Sequence, residues 1–230
     1  MSGPSPSLSA LYPHMRPPGE ARAEPVENLL HSVRAKARDH QDVFARCFAE
    51  QAEVLVAMAQ ALAASYRSGG RLLAMGNGGS SCDAAHVTVE FLHPVTAGRP
   101  ALSAINLAAD VAMMTAVGND VGQEHIFVRP LIAHGRRGDC LVGFSTSGNS
   151  VNLLRAFAKA REMGIATLGF AGGDGGEMAI MGLDHLLTVP TSSIHRVQEC
   201  HLAAYHILWD LTHTLLAADR RPLGKDGARP

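Results

Sequence analysis

Residues 71–81 read Arg-Leu-Leu-Ala-Met-Gly-Asn-Gly-Gly-Ser-Ser, and residues 140–150 read Cys-Leu-Val-Gly-Phe-Ser-Thr-Ser-Gly-Asn-Ser. Each is a short apolar run closed by a turn of glycines or hydroxyl residues and followed by a helical pattern, which predicts strand, loop and helix. Outward from these two, the apolar runs at 101–105, 165–170 and 185–189 have the same form. The segments between most of them carry helical spacing, as at Val151, Leu154, Phe157 and Ala158. Such alternation requires crossover connections, so the five runs (71–75, 101–105, 140–144, 165–170, 185–189) predict an α/β domain: one five-stranded parallel sheet, with helices on both faces, in three layers.

On the N-terminal side, Val26, Leu29, Leu30 and Val33 recur at intervals of three and four. A longer series after Asp39 (Val43, Phe44, Phe48, Val54, Leu55, Met58, Leu62) ends at Gly69-Gly70. Two helices are therefore expected to open the domain. A long helix from 194 to about 216 closes it, with Val197, Cys200, His201, Ala204, Ile207, Leu208, Leu211 and Leu215 as its apolar stripe. Residues 1–25, rich in Pro and Ser, are expected to form a disordered arm, 26–218 the domain and 219–230 a flexible tail.

The composition excludes several classes. Twenty Lys+Arg against 21 Asp+Glu gives a net charge of −1, so a generic nucleic-acid-binding surface has no support. Charge or glycine interrupts every apolar stretch before the ~18 residues of a membrane span. Cys47, Cys82, Cys140 and Cys200 are scattered, without a C-x-x-C pair or a signal peptide, which points to a reduced, cytoplasmic protein.

Four groups carry candidate chemistry. The loop of Asn77, Gly78, Gly79 and Ser80 combines glycines with a helix N-terminus, a physical recipe for binding an anion, although a plain tight turn uses the same residues. It lacks the spacing of a dinucleotide fingerprint or a P-loop. The loop of Ser145, Thr146, Ser147 and Ser150 holds more hydroxyls than an N-cap requires, which favours a phosphate ligand. Both loops follow the carboxyl ends of strands, where open α/β sheets bind ligands. His86 and Glu90 are four apart on the helix after the first loop and interrupt an apolar surface, a pattern that a buried His–Glu hydrogen bond also explains. Gln198, Glu199, His201 and His206 lie on the last helix, where Gln198 and His206 are separated by about 12 Å along the axis.

At these residues the chain resembles the sugar isomerase (SIS) domain family, and within it the phosphoheptose isomerases. The matching text is G-N-G-G-S-x-C-D-A-x-H-x-x-x-E at 76–90, an Asp at 110, V-G-N-D at 117–120, G-D-x-L-x-G-x-S-T-S-G-N-S at 138–150, D-G-G-x-M-A at 174–179 and R-x-Q-E-x-H…H at 196–206. The resemblance implies an aldose–ketose isomerase that passes through an enediol(ate), with Glu90 as base and His206 as acid. It also implies a zinc ion on His86, Glu90, Gln198 and His206, and phosphate on Ser145, Thr146, Ser147 and Ser150. Further substrate contacts are implied at Asn77, Gly78, Gly79, Ser80, Glu90, Asp110, Asn119, Asp120 and Gln198. The implied assembly is a homotetramer with active sites between subunits, so that Gln198 and His206 at one site need not come from one chain. The chemistry agrees, since moving a proton between adjacent carbons calls for a carboxylate and a second proton shuttle.

Two positions depart from the family pattern. Pro94 stands where an Arg is usual, removing a charge-assisted contact, and His195 stands where an Asp is usual. Arg99 and His93 are the nearby groups that could take over the lost contact. A non-catalytic member of the family, of the kind that associates with the replication initiator, lacks the His and Glu of the first helix. Both are present here, which favours an enzyme.

Overall fold

The computed structural model describes residues 25–217, so the arm (1–24) and the tail beyond 217 lie outside the described residues. The chain divides at Asp39 and His40. Up to Asp39 the described chain is helix alone, and from His40 onward it builds the domain.

The first helix, α1 (Val26–Arg67), is a single run of 42 residues. This corrects the expectation of two. The polar stretch around Asp39 contains neither Gly nor Pro, and polar residues alone change which face is apolar without breaking the hydrogen-bond ladder. One window of α1 reaches a mean hydropathy of 1.2 over 18 residues, through its alanines and its core face. Leu55, Met58 and Leu62 of that face are buried in the domain core, as befits an amphipathic helix covering a sheet.

The elements that follow are β1 (Leu72–Gly76), α2 (Gly79–Leu92), β2 (Ala104–Asn106), α3 (Val111–Asp120), a 3₁₀ turn (Gln123–His125) and α4 (Val128–His134). Then come β3 (Cys140–Ser145), α5 (Val151–Met163), β4 (Ala166–Gly172), α6 (Gly176–Ile180), β5 (His185–Val189) and α7 (Ile194–Ala217). All five strands pair in parallel in the order β2-β1-β3-β4-β5. Only β2 departs appreciably from the expected run. It begins at Ala104 because Pro100 has no N–H and the Leu102 N–H is spent on the Phe91 carbonyl at the end of α2, 2.8 Å away.

Alternation along the strands builds two cores. Leu72, Ala74, Val142 and Phe144 pack with residues of α1, α2 and α7, whereas Leu73, Met75 and Leu141 pack with residues of α4, α5 and α6. Asp139 is 2% exposed and fastens the strand starts by accepting from Arg71 N (3.0 Å) and Arg136 N (2.8 Å). On α7 the buried stripe includes Tyr205, Trp209 and Thr212, while Ile207 faces outward. The sequence reading put Ile207 on the inside.

At the centre of β3, a Cβ on Gly143 would meet Phe157 Cζ at 2.5 Å and Met75 Cε at 3.0 Å. Gly143→Ala is therefore expected to overpack that layer and lower stability by about 1–3 kcal/mol, measured as a shift in the urea midpoint with an unchanged m-value.

Candidate active site

Between β1 and β3 the strand order changes direction, the switch point at which open parallel sheets bind ligands. The loops after these two strands meet there. Asn77 and Asn152 exchange side-chain amide bonds, each 2.9 Å, across a cleft of about 450 Å³ that Asn77, Ser150, Val151, Asn152, Arg155 and Glu124 help to line. Asn152, in the first turn of α5, was not singled out in the sequence.

The hydroxyl loop is shaped for an external ligand. Ser145 is buried and its Oγ lies 2.9 Å from Ser150 Oγ. Ser150 is the N-cap of α5 but makes no side-chain capping bond. The oxygen usually spent on helix amides is turned toward Ser145. Thr146 is half-buried and accepts from Gly172 N through its carbonyl, and the exposed Ser147 accepts from Asn149 N at 3.2 Å. Gly148 has φ +68°, and a Cβ there would lie 1.9 Å from the Gly175 carbonyl oxygen. Met178 N to Gly148 O (3.1 Å) and Glu177 N to Asn149 Oδ1 (2.8 Å) complete the contact. The Asp-Gly-Gly text at 174–176 is thus a brace that holds the hydroxyl loop in place.

In the first loop, Asn77, Gly78 and Gly79 are exposed and Ser80 is buried as α2 begins. Asp110 is the N-cap of α3 and accepts from Met113 N at 2.9 Å, beside a different cavity. Asn119 donates to Asp120 Oδ1 at 2.7 Å at the end of that helix.

Further along α2, the helix meets α7. His86 Nε2 lies 3.1 Å from Glu90 Oε1, and His86 Nδ1 lies 2.7 Å from the Tyr205 hydroxyl. The His206 ring stands edge-on to His86 at 5.0 Å, and ligand atoms of His86, Glu90 and His206 all lie within 4.8 Å of one another. Burial, and next His86, lower the His206 pKa, with Glu90 opposing. Burial also raises the Tyr205 phenol, which keeps the hydroxyl protonated. Asp83 is buried one turn before His86, its Oδ2 has no hydrogen-bond partner, and burial pushes its carboxyl up to about 6. Tyr205 and Asp83 were missed in the sequence, although their spacing from His206 and His86 places them on the same seam.

The structure thus brings three of the four expected metal ligands together. Gln198 instead lays its amide against Gly79, about 10 Å along α2 from His86. His195 is exposed in the first turn of α7, and Pro94 follows the end of α2. Arg99 is not free to replace the missing Arg, because it is ion-paired with Asp210 and stacked 4.2 Å over Trp209. Glu199 is held by His40 (2.7 Å) and by Arg196.

A cleft at the switch point, a loop of hydroxyls and a His–Glu–His cluster stand together on an α/β scaffold, and residues 37–172 match the SIS domain family. The chain belongs to that family. Within it, the branch is that of the phosphoheptose isomerases. The chain is 44% identical to the phosphoheptose isomerase of Desulfovibrio desulfuricans over 187 residues, 81% of this chain and 88% of that one. It is 41% identical to the one from Chlorobaculum tepidum, across 84% and 90% of the two chains. Among solved structures, the Neisseria gonorrhoeae phosphoheptose isomerase superposes with a TM-score of 0.77 at 34% identity, covering 81% of this chain and 99% of that one. The Francisella tularensis enzyme gives 0.78 at 32%, covering 80% and 98%.

His201, a candidate in the sequence, lies in the core. It is fully buried beside Phe144 and Phe170, and its Nε2 is 3.3 Å from the Ala171 carbonyl oxygen. Burial lowers its pKa to about 4 from 6.5. With the folded value below the unfolded one, its contribution to stability is intact above about pH 6.5 and is lost as pH falls toward 4. Wild-type stability is expected to fall by about 3 kcal/mol more than that of His201→Gln between pH 7 and 4, measured by urea unfolding at each pH.

Proposed function

We propose that this chain interconverts sedoheptulose 7-phosphate and D-glycero-D-manno-heptose 7-phosphate by proton transfer through an enediol(ate). The observation that carries the reading is the convergence of Glu90, His86 and His206 on the α2–α7 seam in a domain that also presents a hydroxyl loop at its switch point. Phosphate binds to the hydroxyls and backbone amides of Ser145, Thr146, Ser147 and Ser150, with Asn77, Gly78, Gly79 and Ser80 closing the opposite wall. Asp110, Asn119, Asp120 and Gln198 are read as contacts to sugar hydroxyls.

In the ketose-to-aldose direction, the Glu90 carboxylate takes a proton from C1 while the C2 carbonyl oxygen gains one from His206. The resulting enediol returns the carbon-bound proton from Glu90 to C2, and His206 takes the proton from the C1 oxygen as the aldehyde forms. Each group ends as it began, so a single pair serves both directions.

The donor set suits a metal. His86, Glu90 and His206 offer N and O ligands, and the Tyr205 hydroxyl orients the His86 ring from its far side as an outer partner of a ligating histidine does. We read the ion as zinc held by these three, with Gln198 supplied by another copy. When bound, it would either polarise the carbonyl and stabilise the enediolate charge or serve structure alone, and Glu90 acts as base only where its carboxylate is not fully coordinated.

Distance supports a shared site. Glu90 lies about 16 Å along α2 from Gly79 at the loops, a span that the Glu90 side chain and an extended seven-carbon phosphate would have to bridge end to end within one chain. The phosphate loop and the base acting on one substrate are therefore read as coming from different chains of a homotetramer. Four free cysteines accord with a reducing cytoplasm.

Glu90→Gln keeps the shape but cannot take the proton. It is expected to lower kcat on sedoheptulose 7-phosphate by about 10²–10⁴ in a folded protein of unchanged mass by light scattering. Near-normal turnover would remove Glu90 from the role of base.

A further inference from the structure

The C-terminal end of α2 lacks the usual ways to finish a helix. Its cap residue, His93, is not left-handed (φ −135°), and no basic residue lies in its last turn. The last carbonyls of a helix need donors from elsewhere, and its negative end favours a nearby cation. Here the cap residue and tertiary contacts supply the donors. Val89 O accepts from His93 N and Phe91 O from Leu102 N, each at 2.8 Å. Glu90 O accepts from the Trp209 indole Nε1, also at 2.8 Å. Arg99 lies 4.2 Å over the Trp209 ring and is ion-paired with Asp210, the next residue of α7.

α7 therefore engages α2 at two successive rungs, Tyr205 at His86 and Trp209 at Glu90, with His206 between them. A hydrogen bond to the Glu90 carbonyl fixes that residue's height along α2 relative to His206. The Arg99 guanidinium holds the indole by its face. Arg99 Nη1 is buried without a hydrogen-bond partner, so the cation is kept there despite a desolvation cost, consistent with a positional task.

We infer that Trp209, clamped by Arg99 and Asp210, is a positioning residue that sets the Glu90 backbone, and hence its carboxylate, against His206 for proton transfer. The inference rests on the proposed role of Glu90. Within the chain the clamp contacts α2 and α7 only through Glu90, Trp209 and Asp210, so it is expected to act on the chemical step more than on substrate affinity.

The test compares Trp209→Phe, which keeps a ring under Arg99 but removes the N–H, with Arg99→Gln and Arg99→Lys in the full chain. Two measurements are made: steady-state kinetics on sedoheptulose 7-phosphate, and hydrogen exchange of the peptide covering residues 88–93. Trp209→Phe should lower kcat by about 10- to 100-fold with KM within about twofold, and should speed exchange at 88–93 while 79–83 keeps its protection. Arg99→Gln should act in the same direction, and Arg99→Lys, which retains the cation, should recover most of the loss. Unchanged kcat and unchanged exchange at 88–93 in Trp209→Phe overturn the inference, as does a loss of protection spread evenly over the domain with kcat and KM changed together. Should Trp209→Phe fail to fold, Arg99→Gln against Arg99→Lys decides by the same two readouts. If Glu90→Gln is inactive while Trp209→Phe is normal, the clamp alone fails. If Glu90→Gln turns over normally, the base assignment fails, and the exchange measurement still decides whether Trp209 sets the end of α2.

Discussion

A parallel sheet of five strands must be covered on both faces, and nearly everything else in this domain follows from how that is done. The strand order places β1 and β3 side by side at the point where the connections diverge, so the loops leaving them open onto a common cleft instead of being packed under helices. The same requirement lays α2 and α7 on one face as neighbours in a shared core. Polar groups on the seam between two such helices are withdrawn from water and must find each other. His86 finds Tyr205 and Glu90, and Glu90 finds Trp209 through its carbonyl. Apart from Asp83, whose Oδ2 has no hydrogen-bond partner, the seam is thus a specified arrangement on rigid elements, whereas the cleft is built from loops that need bracing.

That bracing accounts for residue types that chemistry alone does not. Gly148 carries a left-handed backbone and touches the Gly175 carbonyl so closely that neither loop tolerates a side chain there. The glycines at 175 and 176 therefore serve the hydroxyls of the 145–150 loop. The Asn77–Asn152 pair plays the same part on the opposite wall, joining the two helix N-termini that open toward the cleft.

The sheet was legible because buried strands are short apolar runs with sharp ends. Where a strand start depends on a contact made by another element, as Leu102 N with Phe91 O displaces the start of β2, the local signal misleads. The break expected near Asp39 failed for a related reason: a change of polar face resembles a helix end in one dimension, but only Gly, Pro or a competing cap stops the ladder. In the site, His86, Glu90, His206 and the two loops stood out because polar residues interrupted apolar patterns. Tyr205 and Trp209 did not, since aromatic residues on an apolar stripe look like core, and only the structure shows the O–H and N–H aimed at α2. His201, which the sequence places in the apolar stripe of the last helix beside the candidate residues, does pack among phenylalanines.

On the proposed reading, the separation of the cleft from the seam makes one chain incomplete as an enzyme. The loops proposed to bind substrate lie at the carboxyl ends of the strands, while the proposed base sits most of the way down α2 and the proposed acid midway along α7. No side-chain rotation closes a gap of about 16 Å. Ile207 and Leu202 on α7, and Val89 and Leu92 on α2, leave apolar surface exposed beside the seam, a combination more typical of an interface than of a free surface when residues cluster next to polar functional groups. On the proposed reading, covering that surface and completing the site are one event. The helix that orients His86 and Glu90 from within the chain would then also carry the face that brings a second chain's phosphate loop to them, which ties catalytic geometry to assembly without any moving part.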